Sequence, residues 1–335
     1  MNAYIKAIDY YLPEKILTNE ELVKEFPEWS VEKIAEKVGV NKRHIAAENE
    51  TASDLAIKAA EKLFESAKID KSEINFVLFC TQSSDYFLPT TACIIQDKLG
   101  LPTNCGALDF NQGCSGYIYG LSLAKGLIAA GISKNVLLLT GETYTKRIHP
   151  KDKGNRTIFG DAASATLIST DGFAEIGEFC LGTDGSGAED LIVKTGASRY
   201  PQKTEIVHFD EETGSLRSDD YIFMNGGEIF SFTLSNVPKL INETLVKNGW
   251  KKENVDFFAF HQANKYMLDY LKKKIKIPDE KFLEYLSEVG NTVSSTIPIM
   301  LCEMFKSRKF TKSNKIILAG FGVGFSWGGV GIELC

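Results

Sequence analysis

A duplicated pattern is the feature of this sequence that most restricts its fold. The apolar run at 74–80 matches the run at 255–261 with an offset of 181 residues, and the run at 133–139 matches 313–319 with an offset of 180 residues. An offset that persists from one strand-like run to the next indicates a repeated architecture. A chain of 335 residues is long enough to hold two such copies around a large core.

Each copy alternates helix-like and strand-like segments. In the first copy we predict helices over 52–67, 91–99 and a segment ending at 129, and strands over 76–80, 106–110, 136–139 and 163–169. In the second copy we predict helices over 227–247, 265–274 and 296–305, and strands over 256–260, 282–283, 316–319 and 328–334. This alternation predicts an α/β fold with two similar βαβαβ-type halves, 1–172 and 173–335.

The stretch between the two copies, 180–225, is polar and rich in glycine, with charged residues at 210–212. We interpret it as a connection whose ordered part lines a pocket.

Composition excludes several classes of function. The formal net charge of −6 and the isoelectric point near 5.5 argue against nonspecific binding of nucleic acid. No apolar run approaches the roughly 20 residues of a membrane span, and the N-terminus lacks the core of a signal peptide. The seven cysteines are scattered and form no Cys-x-x-Cys pair, so we expect neither a metal site nor a disulfide scaffold. The expected location is the reducing cytoplasm.

Three reactive side chains occupy related positions in the two copies. Cys114 follows a predicted strand and precedes an apolar helix, with glycines at 113 and 116. A helix N-terminus lowers the pKa of a thiol and favours the nucleophilic thiolate, so we expect the pKa of Cys114 to fall toward neutrality. His261 directly follows a strand, and Asn291 lies in the second copy's counterpart of the Cys114 loop. A thiol, an imidazole and an amide at the junction of two halves predict a covalent catalytic site.

Each of these residues also has a simpler interpretation. An isolated cysteine before an apolar helix is commonly a small buried hydrophobic residue. His261 would then be a hydrogen-bonded core histidine, and Asn291 would be a turn or helix-cap residue. The other histidines, His44, His149 and His208, are interpreted as surface or structural residues.

Three other motifs in the sequence would indicate a different function. The glycines at 320, 322 and 324 do not open a βαβ unit, so a dinucleotide fingerprint is rejected and backbone donors for an oxyanion are favoured. The order Cys, His, Asn is also that of papain-like proteases, but their Cys-Gly-x-Cys-Trp signature is missing. A nucleophile elbow would need a second glycine where Tyr117 stands.

The whole chain resembles the β-ketoacyl-acyl carrier protein synthase III family of the thiolase superfamily. The resemblance rests on several motifs taken together: 11–13, 40–45, the Cys114 loop, 159–163, 261–264, 290–292 and 322–327. It implies a thiolase-like duplicated fold with layers in the order αβαβα.

The resemblance also implies the roles of the site residues. Cys114 takes an acyl group from a primer thioester, and its own N–H together with that of Val323 forms the oxyanion hole. His261 and Asn291 then bind the thioester carbonyl of malonyl-acyl carrier protein and stabilise the enolate that forms as carbon dioxide leaves. The implied substrates are coenzyme A or carrier-protein thioesters, with no other cofactor. The family is dimeric, and Leu88 is expected to reach the acyl pocket of the partner subunit.

Further binding residues follow from the same resemblance. Asn264 and Phe325 are expected at the substrate. Lys33, Lys37 and Lys153 stand where housekeeping members use a tryptophan and arginines to hold coenzyme A, although Trp29 lies nearby. Lys265 and Tyr266 take the place of an arginine that docks the carrier protein. Since lysine lacks the planar fork of arginine, we predict a specialised synthase with a carrier-bound or longer acyl primer.

Two alternatives remain open from the sequence. One is transfer of the acyl group from the cysteine to an alcohol or an amine in a secondary pathway. The other is a carrier-protein-binding subunit without catalytic activity. The retained thiol, imidazole and amide favour the condensing enzyme over both.

Overall fold

Strands and helices alternate through most of the protein. The computed structural model describes residues 1–210 and 215–335. Its strands are β1 Tyr4–Tyr11, β2 Lys15–Thr18, β3 Lys42–Ile45, β4 Phe76–Cys80, β5 Gly106–Phe110, β6 Asn135–Glu142, β7 Ala162–Ser169, β8 Ala174–Thr183, β9 Leu191–Ile192, β10 His208–Asp210, β11 Ser215–Arg217, β12 Phe223–Met224, β13 Phe257–Phe260, β14 Phe282–Leu283, β15 Lys315–Gly322 and β16 Ser326–Leu334. Its helices are α1 Asn19–Glu25, α2 Val31–Val38, α3 Ala52–Ala67, α4 Thr91–Lys98, α5 Gly116–Ala129, α6 Lys153–Ile158, α7 Gly226–Lys247, α8 Lys265–Ile275 and α9 Thr296–Lys306.

Ten strands form one large sheet made of two equivalent halves. The order across the sheet is β5-β4-β6-β7-β1 and then β8-β16-β15-β13-β14, so each half has the same order when read from its outer edge. In both halves the three outer strands run parallel and the two inner pairings are antiparallel. The halves join through a short antiparallel pairing of β1 with β8. This arrangement confirms the predicted duplicated α/β fold.

Helices separate and cover the two halves of the sheet. α5 packs against strands of both halves, and α9 packs against β1, β7 and β13. α3 covers the first half on β1, β6 and β7, while α7 covers the second half on β8, β15 and β16. The layers therefore follow the predicted αβαβα order.

Sequence patterns explain why these helices occupy these layers. α3 begins with a capping box between Thr51 and Asp54 and buries an apolar face that includes Leu55 and Leu63. α5 is apolar around most of its circumference and buries Tyr117 and Leu121, which suits a helix between two halves of a sheet. The central layer therefore receives the helix that directly follows the Cys114 loop.

Some elements were not predicted. The antiparallel pair β2–β3 and the helices α1 and α2 between its strands fall in a part of the sequence where no element was assigned. The connection 180–225 holds the short strands β9 to β12, but 211–214, which overlap the charged residues noted at 210–212, lie outside the described residues. Within the described parts of the chain, no helix is long and apolar enough to cross a membrane.

Candidate active site

The predicted site residues lie at strand ends where the two halves meet. Cys114 lies between β5 and α5, and Asn291 lies at the equivalent place between β14 and α9. His261 directly follows β13, and Val323 lies in the turn between β15 and β16. Side chains in such positions converge because neighbouring parallel strands end at the same edge of a sheet.

One cavity contains the sulfur, the imidazole and the carboxamide. Its volume is about 70 Å³. Its lining is mostly apolar and consists of Cys114, Ile158, Phe159, Leu191, Met224, Gly226, Ile229, Thr233, His261, Ala263, Asn264, Met267, Asn291, Phe321 and Gly322. The structure thus brings together three side chains separated by up to 177 positions in the sequence, from Cys114 to Asn291. Two members of the lining, Leu191 and Met224, come from the connection 180–225.

Close packing of glycine fixes the position of the Cys114 sulfur. A Cβ atom on Gly322 would lie 2.9 Å from the Cβ and 3.0 Å from the Sγ of Cys114. A Cβ on Gly320 would lie 2.9 Å from the carbonyl oxygen of Cys114. Glycine is therefore required at the end of β15 so that the strand can approach the cysteine.

The expected low pKa of the Cys114 thiol is wrong for this structure. The side chain is buried, and burial raises the pKa of Cys114 to about 12, because a thiolate loses its solvation there. The carboxyl of Glu142 raises this pKa further, and the N–H of Cys114 itself acts in the opposite direction. With the pKa at this value, the resting group near neutral pH is the thiol.

Glu142 is a buried carboxyl that sequence reasoning missed. It ends β6 and accepts hydrogen bonds from the N–H of Gln82 at 2.9 Å and the hydroxyl of Ser83 at 2.7 Å. Burial raises the pKa of Glu142 to about 8. The sequence does contain a signal for this buried group, namely a glutamate at the end of an apolar strand. A carboxyl in that position needs hydrogen-bond partners to be buried.

His261 is held as a neutral imidazole. Its Nδ1 lies 2.8 Å from the Oγ1 of Thr296, and its backbone N–H donates to the carbonyl of Ala319 at 2.8 Å. Burial lowers the pKa of His261 to about 3, so the ring is uncharged near neutral pH. The contact with Thr296, which was not predicted, leaves Nε2 as the ring nitrogen available to a substrate.

Hydrogen bonds from its backbone N–H and to its backbone carbonyl hold Asn291 in place. Its N–H donates to the carbonyl of Ile158 at 2.9 Å, and its carbonyl accepts from Gly160 at 3.1 Å. The side-chain oxygen accepts from the N–H of Val293 at 2.9 Å, and Nδ2 donates to the carbonyl of Ala263 at 3.3 Å. One amide hydrogen of the side chain therefore remains to donate into the cavity.

The turn that holds Val323 is attached to the Cys114 loop. The hydroxyl of Ser326 donates to the carbonyl of Val323 at 2.8 Å and lies 2.7 Å from the hydroxyl of Ser115. Val323 also packs in the small apolar cluster that contains Cys114. The predicted backbone donor is therefore close to the sulfur, and its role in an oxyanion hole stays a prediction.

Of the predicted substrate-binding residues, Asn264 lines the cavity. Its side-chain oxygen caps α8 by accepting from the N–H of Met267 at 2.9 Å. Phe325 is buried and stacks on Phe232 with ring centroids 4.2 Å apart. Leu88 lies in the loop between β4 and α4, with 82% of its surface exposed.

The predicted lysines lie on surface helices beside the cavity. Lys33 and Lys37 are exposed on α2, and the Nζ of Lys33 lies 4.9 Å from the centre of the Trp29 ring. Lys153 on α6 pairs with Glu28 at 3.0 Å. None of the three lines the cavity among the residues that the structure describes.

The predicted carrier-protein contacts, Lys265 and Tyr266, begin α8. The Nζ of Lys265 pairs with Asp269 at 3.0 Å. Tyr266 is half-exposed and packs against Phe230 and Tyr270, with ring centroids 5.4 Å and 4.9 Å away. Docking at this aromatic surface stays a prediction.

Comparison with known proteins agrees with this geometry. Residues 108–185 match the family described as 3-oxoacyl-[acyl-carrier-protein] synthase III, and residues 245–334 match the C-terminal part of that family. A β-ketoacyl-[acyl-carrier-protein] synthase III of Clostridium perfringens is 37% identical over 335 residues, which is 99% of both chains.

Solved structures give the same result. A crystal structure of a 3-oxoacyl-(acyl-carrier-protein) synthase III superposes with a TM-score of 0.97 at 46% identity and covers 100% of both chains. A 3-oxoacyl-(acyl-carrier protein) synthase from Burkholderia xenovorans superposes with a TM-score of 0.91 at 37% identity and covers 100% of this chain and 94% of that chain. These matches extend over both halves and confirm the resemblance seen in the sequence. The chain belongs to the 3-oxoacyl-[acyl-carrier-protein] synthase III family of acyltransferases.

Proposed function

We propose that this protein condenses an acyl thioester primer with malonyl-acyl carrier protein to give a 3-oxoacyl thioester. The observation that carries the proposal is the single apolar cavity shared by Cys114, His261 and Asn291. A thiol can hold an acyl group, while a neutral imidazole and a carboxamide can donate hydrogen bonds to an enolate oxygen.

In the first half-reaction the Cys114 sulfur attacks the primer carbonyl. The new bond joins Sγ to the acyl carbon, the bond to the primer's sulfur breaks, and the thiol proton passes to the leaving thiolate. The N–H groups of Cys114 and Val323 are proposed to hold the oxyanion. Since burial raises the pKa of the Cys114 thiol, deprotonation accompanies substrate binding in this scheme.

In the second half-reaction the malonyl thioester loses carbon dioxide. The electron pair of the broken carbon–carbon bond forms an enolate, whose oxygen accepts hydrogen bonds from His261 and Asn291. The enolate carbon then attacks the acyl-cysteine, and the Cys114 sulfur leaves and recovers a proton. This role requires the ring's one proton on Nε2, with Nδ1 accepting from the hydroxyl of Thr296, and the pKa of His261, about 3, keeps that ring neutral so that it donates a hydrogen bond without transferring its proton. The scheme uses side chains and backbone groups and includes no metal or organic cofactor.

The partners and the setting are also proposed. The primer is an acyl-coenzyme A or acyl-carrier thioester, the extender is carried on acyl carrier protein, and the enzyme acts as a homodimer. Replacement of family arginines by Lys153 and Tyr266 supports a specialised primer rather than the housekeeping one. All seven cysteines are free thiols, which supports a reducing cytoplasm.

Substitutions in the three side chains should separate the half-reactions. We expect Cys114→Ala to abolish acylation, measured by intact mass after incubation with acyl thioesters. We expect His261→Ala and Asn291→Ala to retain acylation and to lower carbon dioxide release from malonyl-carrier protein by about a hundredfold or more. Cys93→Ala, at an exposed cysteine, is the matched control and should behave like the wild type.

The outcome distinguishes the alternatives. Equal loss of both half-reactions in the His261 and Asn291 variants would contradict the assigned roles. Discharge of the acyl-enzyme to an alcohol or an amine without carbon dioxide release would support acyl transfer instead. Failure of Cys114 to react with any thioester would point to a carrier-binding subunit.

A further inference from the structure

Two ion pairs connect α6 to the segment that carries α1 and α2. The Nζ of Lys153 lies 3.0 Å from the Oε1 of Glu28. The guanidinium of Arg156 donates to both carboxylate oxygens of Glu25, with 3.1 Å between Nη2 and Oε1. Arg156 also donates to the carbonyl of Pro150 at 2.8 Å. Both cations of α6 are therefore neutralised by one segment.

These pairs lie beside the wall of the catalytic cavity. α6 ends at Ile158, which lines the cavity together with Phe159. At 1.5 Å per residue, Lys153 is about 7.5 Å from Ile158 along the helix axis. α2 packs against both α6 and α8, and the start of α8 supplies Asn264 and Met267 to the same cavity. Phe159 also lines a surface groove whose wall includes Arg156 and Glu25, so a thioester chain that continues from the cavity into this groove passes the ion pairs.

Exposure differs between the partners of each pair. The side chains of Lys153 and Arg156 are 18% and 19% exposed, whereas those of Glu28 and Glu25 are 50% and 49% exposed. The cations belong to the helix beside the cavity, and the carboxylates reach them from the surface. The hydrogen bond from Arg156 also holds the pKa of Glu25 below its usual value, so this carboxylate is charged near neutral pH.

We propose that Glu25 and Glu28 select the primer by its carrier group, meaning the part of the thioester beyond the acyl-bearing sulfur. The inference rests on the proposed function. Coenzyme A bears a diphosphate and a 3′-phosphate, which must displace or lie beside these carboxylates to reach Lys153 and Arg156. Like charges repel, and the occupied cations give the phosphates no attraction in return. Pantetheine is uncharged and does not meet this barrier.

One acyl group attached to three carrier groups tests the proposal. The rate of Cys114 acylation is measured by intact mass with acyl-pantetheine, acyl-3′-dephospho-coenzyme A and acyl-coenzyme A. For the Glu25→Gln/Glu28→Gln double variant we expect the rate with acyl-coenzyme A to rise about threefold to tenfold, the range set by exposed ion pairs. The rate with acyl-pantetheine should not change, and dephospho-coenzyme A should fall between the two.

Two further variants make the test specific. Glu32→Gln removes an exposed carboxylate from α2 that is bonded to Ser30, and it should leave all three rates unchanged. Glu28→Gln alone should also raise the rate with acyl-coenzyme A, and adding Lys153→Met to it should remove that gain, because the released cation is gone. Thermal unfolding of each variant checks that the fold is retained.

Several results would overturn the proposal. They are an unchanged ratio of the coenzyme A rate to the pantetheine rate in the double variant, an equal rise with all three carrier groups, and a gain from Glu28→Gln that persists after Lys153→Met is added. If no carrier group acylates Cys114 in the wild type, the proposed function itself fails and the selection by Glu25 and Glu28 fails with it.

Discussion

At the scale of single residues, burial has the largest effect on the charges of the site. Cys114 stands just before α5, yet the loss of solvent raises the pKa of its thiol to about 12. His261 is affected in the opposite direction, because burial disfavours the cationic ring and lowers its pKa to about 3. Both groups are therefore neutral at rest, which suits a cavity with an apolar lining.

Glu142→Gln should make the Cys114 thiol easier to ionise. The carboxyl of Glu142 has a pKa of about 8, so its charge opposes the thiolate most strongly above that pH. We expect the pH profile of Cys114 alkylation by iodoacetamide to move to lower pH by about one unit. An unchanged profile would mean that the carboxyl does not act on the sulfur.

The same substitution should change how stability depends on pH. The pKa of Glu142 is raised from 4.5 to about 8 in the folded protein, so the folded state binds the proton more tightly than the unfolded chain. Stability from this group is present below pH 4.5 and is lost as the pH rises to about 8, at about 1.4 kcal/mol per pH unit. Urea unfolding should therefore show a smaller loss of stability between pH 4.5 and about 8 in Glu142→Gln than in the wild type.

At the scale of secondary-structure elements, Arg43 ties the β2–β3 region to the loop beside Asn291. Its guanidinium is fully buried and donates to the side-chain oxygen of Asn19 at 2.9 Å and to the carbonyl of Thr157 at 2.7 Å. The next residue, Ile158, accepts the hydrogen bond from Asn291. A displacement of β3 would therefore be transmitted to the Asn291 side chain through the backbone of Thr157 and Ile158.

Arg43→Met should destabilise the protein and disturb the second half-reaction. Loss of the guanidinium leaves buried oxygen atoms without donors, and we expect the free energy of unfolding to fall by about 3 kcal/mol. We also expect decarboxylation to decrease more than acylation, because the substitution should displace Asn291 and leave Cys114 in place. Urea denaturation and the two half-reaction assays measure this. Arg199→Met, at an exposed arginine, is the control.

The elements also show what the sequence could predict. α3 and β4 match their predicted bounds because long periodic patterns reflect local burial. The paired strands β2 and β3 and the helix α2 are short, and α2 packs against the distant helices α6 and α8. The contacts of Thr296, Glu142 and Arg156 were missed for the same reason. Arg156 and Glu25 are 131 positions apart, and no local pattern relates them.

At the scale of the whole molecule, one loop exposes three consecutive apolar residues. Tyr86, Phe87 and Leu88 have 64%, 87% and 82% of their surfaces exposed. Such a patch on a globular protein usually marks an interaction site. It supports the proposed homodimer, in which Leu88 reaches the partner's acyl pocket.

Leu88→Asp should weaken self-association. A carboxylate placed in an apolar contact loses solvation without gaining a partner, so we expect a shift from dimer to monomer in light scattering at micromolar concentration. Ile132→Asp, at an isolated residue that is 65% exposed, is the matched control. A wild type that is already monomeric, or a Leu88→Asp variant that stays dimeric, would contradict the assignment of this loop.

The loop that carries the sulfur and the loop that carries the carboxamide occupy equivalent positions in the two copies of the fold. A repeated backbone therefore presents two unlike groups to each other at a spacing that neither copy could set alone. In the proposed reaction the carbon held by one copy is joined to the carbon activated by the other. A half-length fragment of this polypeptide would accordingly carry part of the chemistry and complete none of it.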